Sequence, residues 1–530
     1  MAKFNAAPKV RPGVQSPIKS TKVAARTGNG AAGYTRTGQS ELFLLAVANF
    51  VGKDTFYENA KKRDDRFVKL SQQEAVYDPK WFVGFIGWLR NEAFMRSGAI
   101  VAAVEGAKAL HDSGNMTGTP RYIVSLAQAR ADEPGEVLAY YASKYGKPFP
   151  AWLKKGVADG ARKLYDEYSF LKYDTDSKDY RFGDILQLVH AKAVDSHQNA
   201  LFKLALDTRY GNVNGIPEEL EMVQRRALLM SEFDPKEKRT LVTSGRAPVT
   251  FREAGMTWEA MAGWLQGPMD KAAWEAIIPS MGHMALLRNL RNFLQAGVSD
   301  AVMKDVLAKI SDPYQVSKGK QFPFRYLAAF QANKGNLKVS AALEDALQAS
   351  LNNVPALPGK TLILVDRSGS MFGYHASDKE LTMADKAAIF GSAIALRAED
   401  ATLVQFGTSA EEVHFSKSDS VLPMLSKYRS MGGTRTAAAV SAFFKGHDRV
   451  VIVTDEQYSG RGYYSSSGDP GEVIPAKVPL YTWNLNGYAV GGFAGNSKRH
   501  TFGGLTDKAF SQIPLIEAGQ QAKWPWEVKA

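Results

Sequence analysis

Thr361-Leu362-Ile363-Leu364-Val365-Asp366-Arg367-Ser368-Gly369-Ser370-Met371 decides how this chain is read. A short apolar run of buried-strand type ends in an acid, and two hydroxyls follow at alternate positions, giving D-x-S-x-S at the carboxyl end of a strand. Downstream, strand and helix alternate. Leu381–Glu399 reads as a long helix, Ala401–Phe406 as a strand, Val421–Tyr428 and Thr436–Phe444 as helices, and Val450–Val453 as a strand. Leu480–Asn484 and Arg499–Phe502 follow as strands and Lys508–Ala518 as a last helix. This alternation predicts an α/β doubly wound domain over 360–530, with a parallel sheet covered on both faces. Such sheets bind ligands outside the carboxyl ends of their strands.

Two further elements fall where a site at the end of the first strand needs them. Gly432-Gly433-Thr434 offers a flexible loop with a hydroxyl, and Val450-Val451-Ile452-Val453-Thr454-Asp455 ends a second central strand in a carboxylate. Oxygen-only groups on short turns suit a hard divalent cation such as Mg²⁺. Taken singly, each residue reads as an Asx-turn or a helix cap, because Asp and Ser are common in turns. Together and in this order, the set resembles the metal-ion-dependent adhesion site (MIDAS) of von Willebrand factor A domains. The resemblance implies Asp366, Ser368, Ser370, Thr434 and Asp455 as metal ligands, some through water, with an acidic group of a partner completing the coordination. Such a site binds rather than catalyses. Arg367, at the variable second position, is a candidate modifier of the local charge.

Upstream of a Pro- and Gly-bearing break at Asn352–Lys360, the pattern is helical from Glu41 to Val354, with apolar residues at spacings of three and four. Examples are Glu41–Phe50, Trp81–Leu110, Gly135–Tyr145, Pro150–Leu164, Trp258–Leu265, Lys271–Leu294, Ala301–Ile310 and Ala341–Leu351. Amphipathic helices in so long a series predict an all-α, HEAT-like helical-repeat body over 39–355, with a degenerate repeat. Residues 1–38 carry seven Lys or Arg (Lys3, Lys9, Arg11, Lys19, Lys22, Arg26, Arg36) and no acid. With little apolar content to offset ordering entropy, this segment reads as a disordered basic N-terminal arm.

Composition narrows the function classes. The chain of 530 residues has no cysteine, which excludes disulfide staples, zinc ribbons and thiol nucleophiles. No apolar run approaches the ~18 residues that span a bilayer, and the N-terminus lacks the apolar core of a secretory signal, so a cytoplasmic protein with no membrane partner is expected. Residues 361–530 hold 17 Lys+Arg and 17 Asp+Glu, which leaves the whole net charge of +12 in residues 1–360. An excess of this size predicts a polyanion partner through counterion release; a merely basic, solvated surface is the alternative.

Local features of the body then resemble the TROVE module of the Ro autoantigen family, in a bacterial or phage-type form. They are Arg63-Asp64 and Phe67, the Arg90-Asn91-Glu92 helix, Tyr165-Asp166-Glu167-Tyr168, and Leu188-Val189-His190-Ala191-Lys192. Leu286–Leu294, with Arg288, Asn289, Arg291 and Asn292, matches a later helix of that family. The resemblance implies a monomeric ring of helical repeats clasped by the C-terminal domain. It also implies small noncoding Y-like RNA on a basic outer surface, single-stranded ends of misfolded RNA in the central hole, and a separate exoribonuclease as a further partner. Position by position it places RNA contacts at Lys172 and His190. Lys178 stands in for a basic position blurred by Asp174 and Asp176, with Lys192, Arg90, Arg96, Arg288 and Arg291 as further candidates. Read from the residues alone, His190 beside Leu186 and Val189 is a packed or capping histidine, and the four arginines are solvated faces.

The enzyme readings are weaker. Gly359-Lys360-Thr361 lacks the first glycine of a phosphate-binding loop and precedes its strand, and Ser368 has no triad histidine beyond His375, read as a surface residue. A metal-dependent nuclease is the enzymatic rival, although two carboxylates and three hydroxyls are a poor match to two-metal chemistry. A metal-dependent protein-binding scaffold without RNA is the other alternative.

Overall fold

The computed structural model describes residues 16–48, 51–114, 118–212, 214–231, 233–352, 354–373, 381–459, 469–492, 498–518 and 523–527. Lys3, Lys9, Arg11 and His375 lie outside these. The chain divides into two compact units, one of Met1–Leu70 with Leu351–Ala530 and one of Ser71–Ser350. The break does not fall at residue 38, as the sequence reading has it, but at Leu70.

The Ser71–Ser350 unit is helical throughout its described residues, as the spacing of apolar residues predicts. Trp258–Leu265 coincides with its expected bounds, and Trp81–Leu110 resolves into two helices, Pro79–Asn91 and Arg96–Asp112. The break between them is local: Phe94 takes a positive φ of 59°. Asp78 starts the first helix by accepting from the Trp81 backbone N–H at 3.0 Å, which satisfies one of the amides that a helix N-terminus leaves unpaired. Neighbouring helices bury Ala, Leu and Phe faces on one another; Phe82, Phe85, Ile86 and Leu89 are fully buried.

The other unit is built on a sheet. Its strands are β1 (Ser20–Arg26), β2 (Ala32–Arg36), β3 (Leu357–Asp366), β4 (Ala398–Phe406), β5 (Ala410–Glu412), β6 (Arg449–Thr454), β7 (Leu480–Asn484), β8 (Val490–Gly491) and β9 (Arg499–Gly503). The main sheet has the order β5-β4-β3-β6-β7-β9, parallel except for the antiparallel edge strand β5. β3 is central, in register from Thr361 opposite Ala401 and Arg449 to Val365 opposite Gln405 and Val453. Leu362 and Leu364 point to a core shared with Val404, Val440, Val450, Ile452 and Leu480. On the helix Met383–Arg397, Gly391 lets Val365 approach so closely that a Cβ there would lie 2.2 Å from Val365 Cγ2. The chain leaves β3 toward β4 on one side and later returns to β6 on the other, so the strand order reverses between β3 and β6. That is the switch point at which open parallel sheets bind ligands.

The reading of residues 1–38 as a disordered arm is corrected over 20–36. β1 and β2 form a hairpin, and β2 pairs with β8 through Tyr34–Gly491 and Thr35–Val490, giving a second, three-stranded sheet. The segment lacks apolar residues for a core of its own, and composition could not show that β2 completes its ladder with Val490 and Gly491, far along the chain. The helix Gly38–Ala48, apolar all round, is buried from Leu42 to Ala48, as such helices are. Arg63, fully buried, donates to the Asn486 carbonyl oxygen at 2.6 Å, and Arg66 to that of Gly487 at 3.0 Å.

This partition moves the charge. The helical unit, residues 71–350, holds 35 Lys+Arg against 32 Asp+Glu, whereas residues 1–70 hold 13 against 5. Most of the net +12 therefore lies in the segment that joins the sheet, not in the helical body that the sequence reading called basic.

Candidate functional site

The switch point gathers all five residues singled out as metal ligands. Asp366 ends β3, Asp455 follows β6, and both are fully buried; Ser368, Ser370 and Thr434 are also buried. The turn after β3 is fixed by its own backbone. The Ser368 N–H donates to Asp366 Oδ1 at 2.9 Å, and Gly369 N–H donates to the Gly432 carbonyl oxygen at 2.6 Å, bringing the Thr434 loop onto the turn. Gly432 has φ +79°, and a Cβ there would stand 2.8 Å from Thr408 Oγ1, so the loop needs glycine on both counts. Ser368 and Ser370 hydroxyls lie 3.2 Å apart.

Asp366 Oδ2 accepts from the Thr454 hydroxyl at 2.6 Å, and Asp455 Oδ1 from the Gln457 N–H at 3.0 Å. Asp455 Oδ2 is buried with no hydrogen-bond partner. Neither carboxylate forms an ion pair with a Lys or Arg among the described residues. Burial raises the Asp366 carboxyl above the usual range; burial and the neighbouring Asp366 charge push Asp455 up to about 7. Two buried, unneutralised carboxylates beside three hydroxyls fit a hard divalent cation, which would supply the missing positive charge. Arg367 supplies only a small part of it: its guanidinium donates to the Arg429 carbonyl oxygen at 3.1 Å, faces Asp385 at 3.9 Å and lies over the Phe372 and Tyr428 rings. No group of three or more His, Asp or Glu suited to a metal occurs among the described residues.

Sequence reasoning missed a neighbouring network. Glu456, held at φ +60°, pairs with buried Arg36, and Asn484 donates to Glu456 Oε2 at 2.8 Å. Its signal was faint: a second acid directly after Asp455, and Gly28-Asn29-Gly30, a hairpin-type turn in a segment read as disordered.

The RNA candidates fall into three kinds. Lys172, Lys178, His190 and Lys192 are exposed along two short helices and their connections. Lys172, on the helix Glu167–Tyr173, lies over the rings of Tyr168 at 5.4 Å and Tyr173 at 5.2 Å, and Arg130 covers Tyr173 at 5.5 Å. His190 is not on the apolar face of its helix. It is the left-handed cap of Phe182–Val189 (φ 53°, ψ 47°), with its ring exposed. Asp174 and Asp176 are both paired with Arg181, at 2.6 and 2.7 Å, so one arginine offsets part of the negative charge that blurred this region.

Arg288 and Arg291 form the second kind. They are exposed, lie three apart on the helix His283–Gln295 and therefore share a face, and make no ion pair among the described residues.

Arg90 and Arg96 form the third kind, and the structure commits them elsewhere. Arg90 reaches fully buried Glu133 at 2.6 Å; Arg96 reaches Glu133 at 3.1 Å and Asp132 at 2.8 Å, and also pairs with Glu136. Glu133 further accepts from the Ala129 and Arg130 backbone N–H groups at 2.7 and 3.0 Å. Glu133→Ala should cost roughly 3–5 kcal/mol, because it strips a buried ion pair of one partner. Urea unfolding checks this; a loss below about 1 kcal/mol would show that the pairs are ordinary surface pairs.

Comparison with known proteins gives these positions a context. The TROVE domain family matches residues 253–336, a stretch that contains Arg288 and Arg291. The RNA-binding protein RO60 of Deinococcus radiodurans is 25% identical over 304 residues, covering 54% of this chain and 55% of that protein. Both matches make the chain similar to the Ro family. It aligns with about half the length of this curated relative. The crystal structure of the Deinococcus radiodurans Ro (RSR) protein superposes with a TM-score of 0.61 over 91% of this chain and all of that one, at 17% identity, which establishes a shared fold. Helical repeats joined to a C-terminal mixed sheet are thus the architecture that this chain shares with that protein. No helix among its described residues is long and apolar enough to cross a membrane.

Proposed function

We propose that this chain is a non-catalytic RNA-binding protein whose C-terminal sheet, of the von Willebrand A type, carries a MIDAS-like divalent-cation site filled by Mg²⁺. The observation that carries the RNA reading is exposed Lys172, whose ammonium stands over the Tyr168 and Tyr173 rings and makes no ion pair among the described residues, with Lys178, His190 and Lys192 also exposed. Charge over an aromatic surface is the chemistry that holds phosphate and base together, and a relative of this chain is named as an RNA-binding protein.

The finer reading rests on the family resemblance. Small structured Y-like RNA binds Lys172, Lys178, His190 and Lys192, with Arg288 and Arg291 as phosphate contacts. Single-stranded ends of misfolded RNA enter the ring, and a separate exoribonuclease receives them in the cytoplasm for RNA quality control. Binding rather than hydrolysis is favoured at the cation site because two carboxylates and three hydroxyls leave too few acids for a pair of metals.

The test is to purify the full chain in low and in high salt and sequence any nucleic acid that accompanies it. A discrete small RNA, retained in low salt and shed in high salt, is expected. Protein free of RNA, and without affinity for added RNA under both conditions, sinks the reading and leaves a metal-dependent protein-binding scaffold.

A further inference from the structure

The N-terminal hairpin is tied to the cation site by a run of hydrogen bonds. The Thr27 hydroxyl donates to the Tyr458 carbonyl oxygen at 2.8 Å, and the Gly28 N–H to Gln457 Oε1 at 2.6 Å. Gly30 bridges Ser459. The Asn29 side-chain amide donates to the Gln457 carbonyl oxygen at 2.9 Å and to Thr434 Oγ1 at 3.4 Å. Gln457 in turn donates its N–H to Asp455 Oδ1, and the Ser459 N–H donates to the Thr434 carbonyl oxygen at 3.0 Å. One turn of five residues thus grips the loop that follows Asp455 and the hydroxyl of Thr434, two of the five cation-site residues. Asn29 itself is exposed, so these bonds do not serve to bury it.

We propose that Asn29, at the tip of the N-terminal hairpin, is a positioning residue of the cation site that sets the Thr434 hydroxyl for a divalent ion. The inference rests on the cation-site reading above. A hydroxyl offers two lone pairs and one proton. With the Asn29 amide on one lone pair, the other is left for the ion and the side chain is held in one rotamer. An octahedral ion such as Mg²⁺ tolerates little error in ligand placement, so a ligand freed to rotate loses affinity.

Mn²⁺ titration by calorimetry on the full chain tests this, with thermal melts in chelator alongside. Asn29→Ala should weaken Mn²⁺ about tenfold while the chelated melting temperature stays within about 2 °C, since an exposed side chain contributes little to stability. Thr434→Ala should also weaken binding, and the Asn29→Ala/Thr434→Ala pair should bind no more weakly than Thr434→Ala alone, because Asn29 acts through that hydroxyl. If the unaltered protein binds no Mn²⁺, the cation-site reading itself fails. If it binds and Asn29→Ala binds equally well, or if the two losses simply add, the hairpin has no positioning role and the proposal is overturned.

Discussion

Asp455→Asn is expected to abolish divalent-cation binding and to raise the stability of the cation-free protein at neutral pH. Both effects come from the same burial. Asp455 is fully enclosed, one of its oxygens has no partner, and Asp366 lies beside it. Desolvation raises both carboxyls, and the Asp366 charge raises Asp455 further, so their folded values lie above their unfolded ones. The stability they contribute is complete below the ordinary carboxylate range and is lost as pH rises from about 4 toward 7, at a cost of order a few kcal/mol. A neutral amide removes that cost, while a cation offsets it by occupying the gap. Ion binding to the folded state alone adds about 4 kcal/mol at a thousand times its dissociation constant. Mg²⁺ should therefore raise the melting temperature of the unaltered protein far more at pH 8 than at pH 5, and leave Asp455→Asn unmoved. Equal melting temperatures in Mg²⁺ and in chelator at pH 8 would falsify the cation site.

The sheet and the residues at its switch point were legible because each central strand is short, apolar and runs into an acid. β3 and β6 are buried along nearly all of the runs that the sequence marks, and D-x-S-x-S can be aligned without any tertiary information. The hairpin was not legible. Ser20–Arg36 has few apolar residues, and it is ordered by hydrogen bonds to Gln457, Tyr458 and Val490, which no local period reveals. Charge misled for the same reason, since a sum over 1–360 joins a segment that folds with the sheet to a helical body that is nearly neutral. Among the arginines, sequence cannot separate Arg288 from Arg90. Both sit on amphipathic helices, and only the placement of Glu133 on a different helix shows that Arg90 is already spent.

Lys172→Ala/His190→Ala should lower RNA affinity at low salt by roughly 10- to 100-fold, the worth of one phosphate contact plus one base contact at about 1–3 kcal/mol. The two losses differ in kind, and a salt titration separates them. Removing Lys172 takes away one cation, so the plot of log affinity against log salt should flatten by about 0.7–0.9. The exposed His190 ring, set outward by a left-handed cap, offers a face or a hydrogen bond to a base and should change affinity with little effect on slope. Arg288→Ala/Arg291→Ala should flatten the slope by up to about two such steps if phosphate passes that helix. The rival location is residues 1–70, where 13 Lys+Arg face 5 Asp+Glu. If the excess charge there carries the RNA, the Lys172/His190 variant will bind as the unaltered chain does. Lys19→Ala/Arg26→Ala will then flatten the slope instead. Arg90→Ala separates contact from scaffold: its loss should appear in urea unfolding, through Glu133, and leave the salt slope of the folded protein where it was.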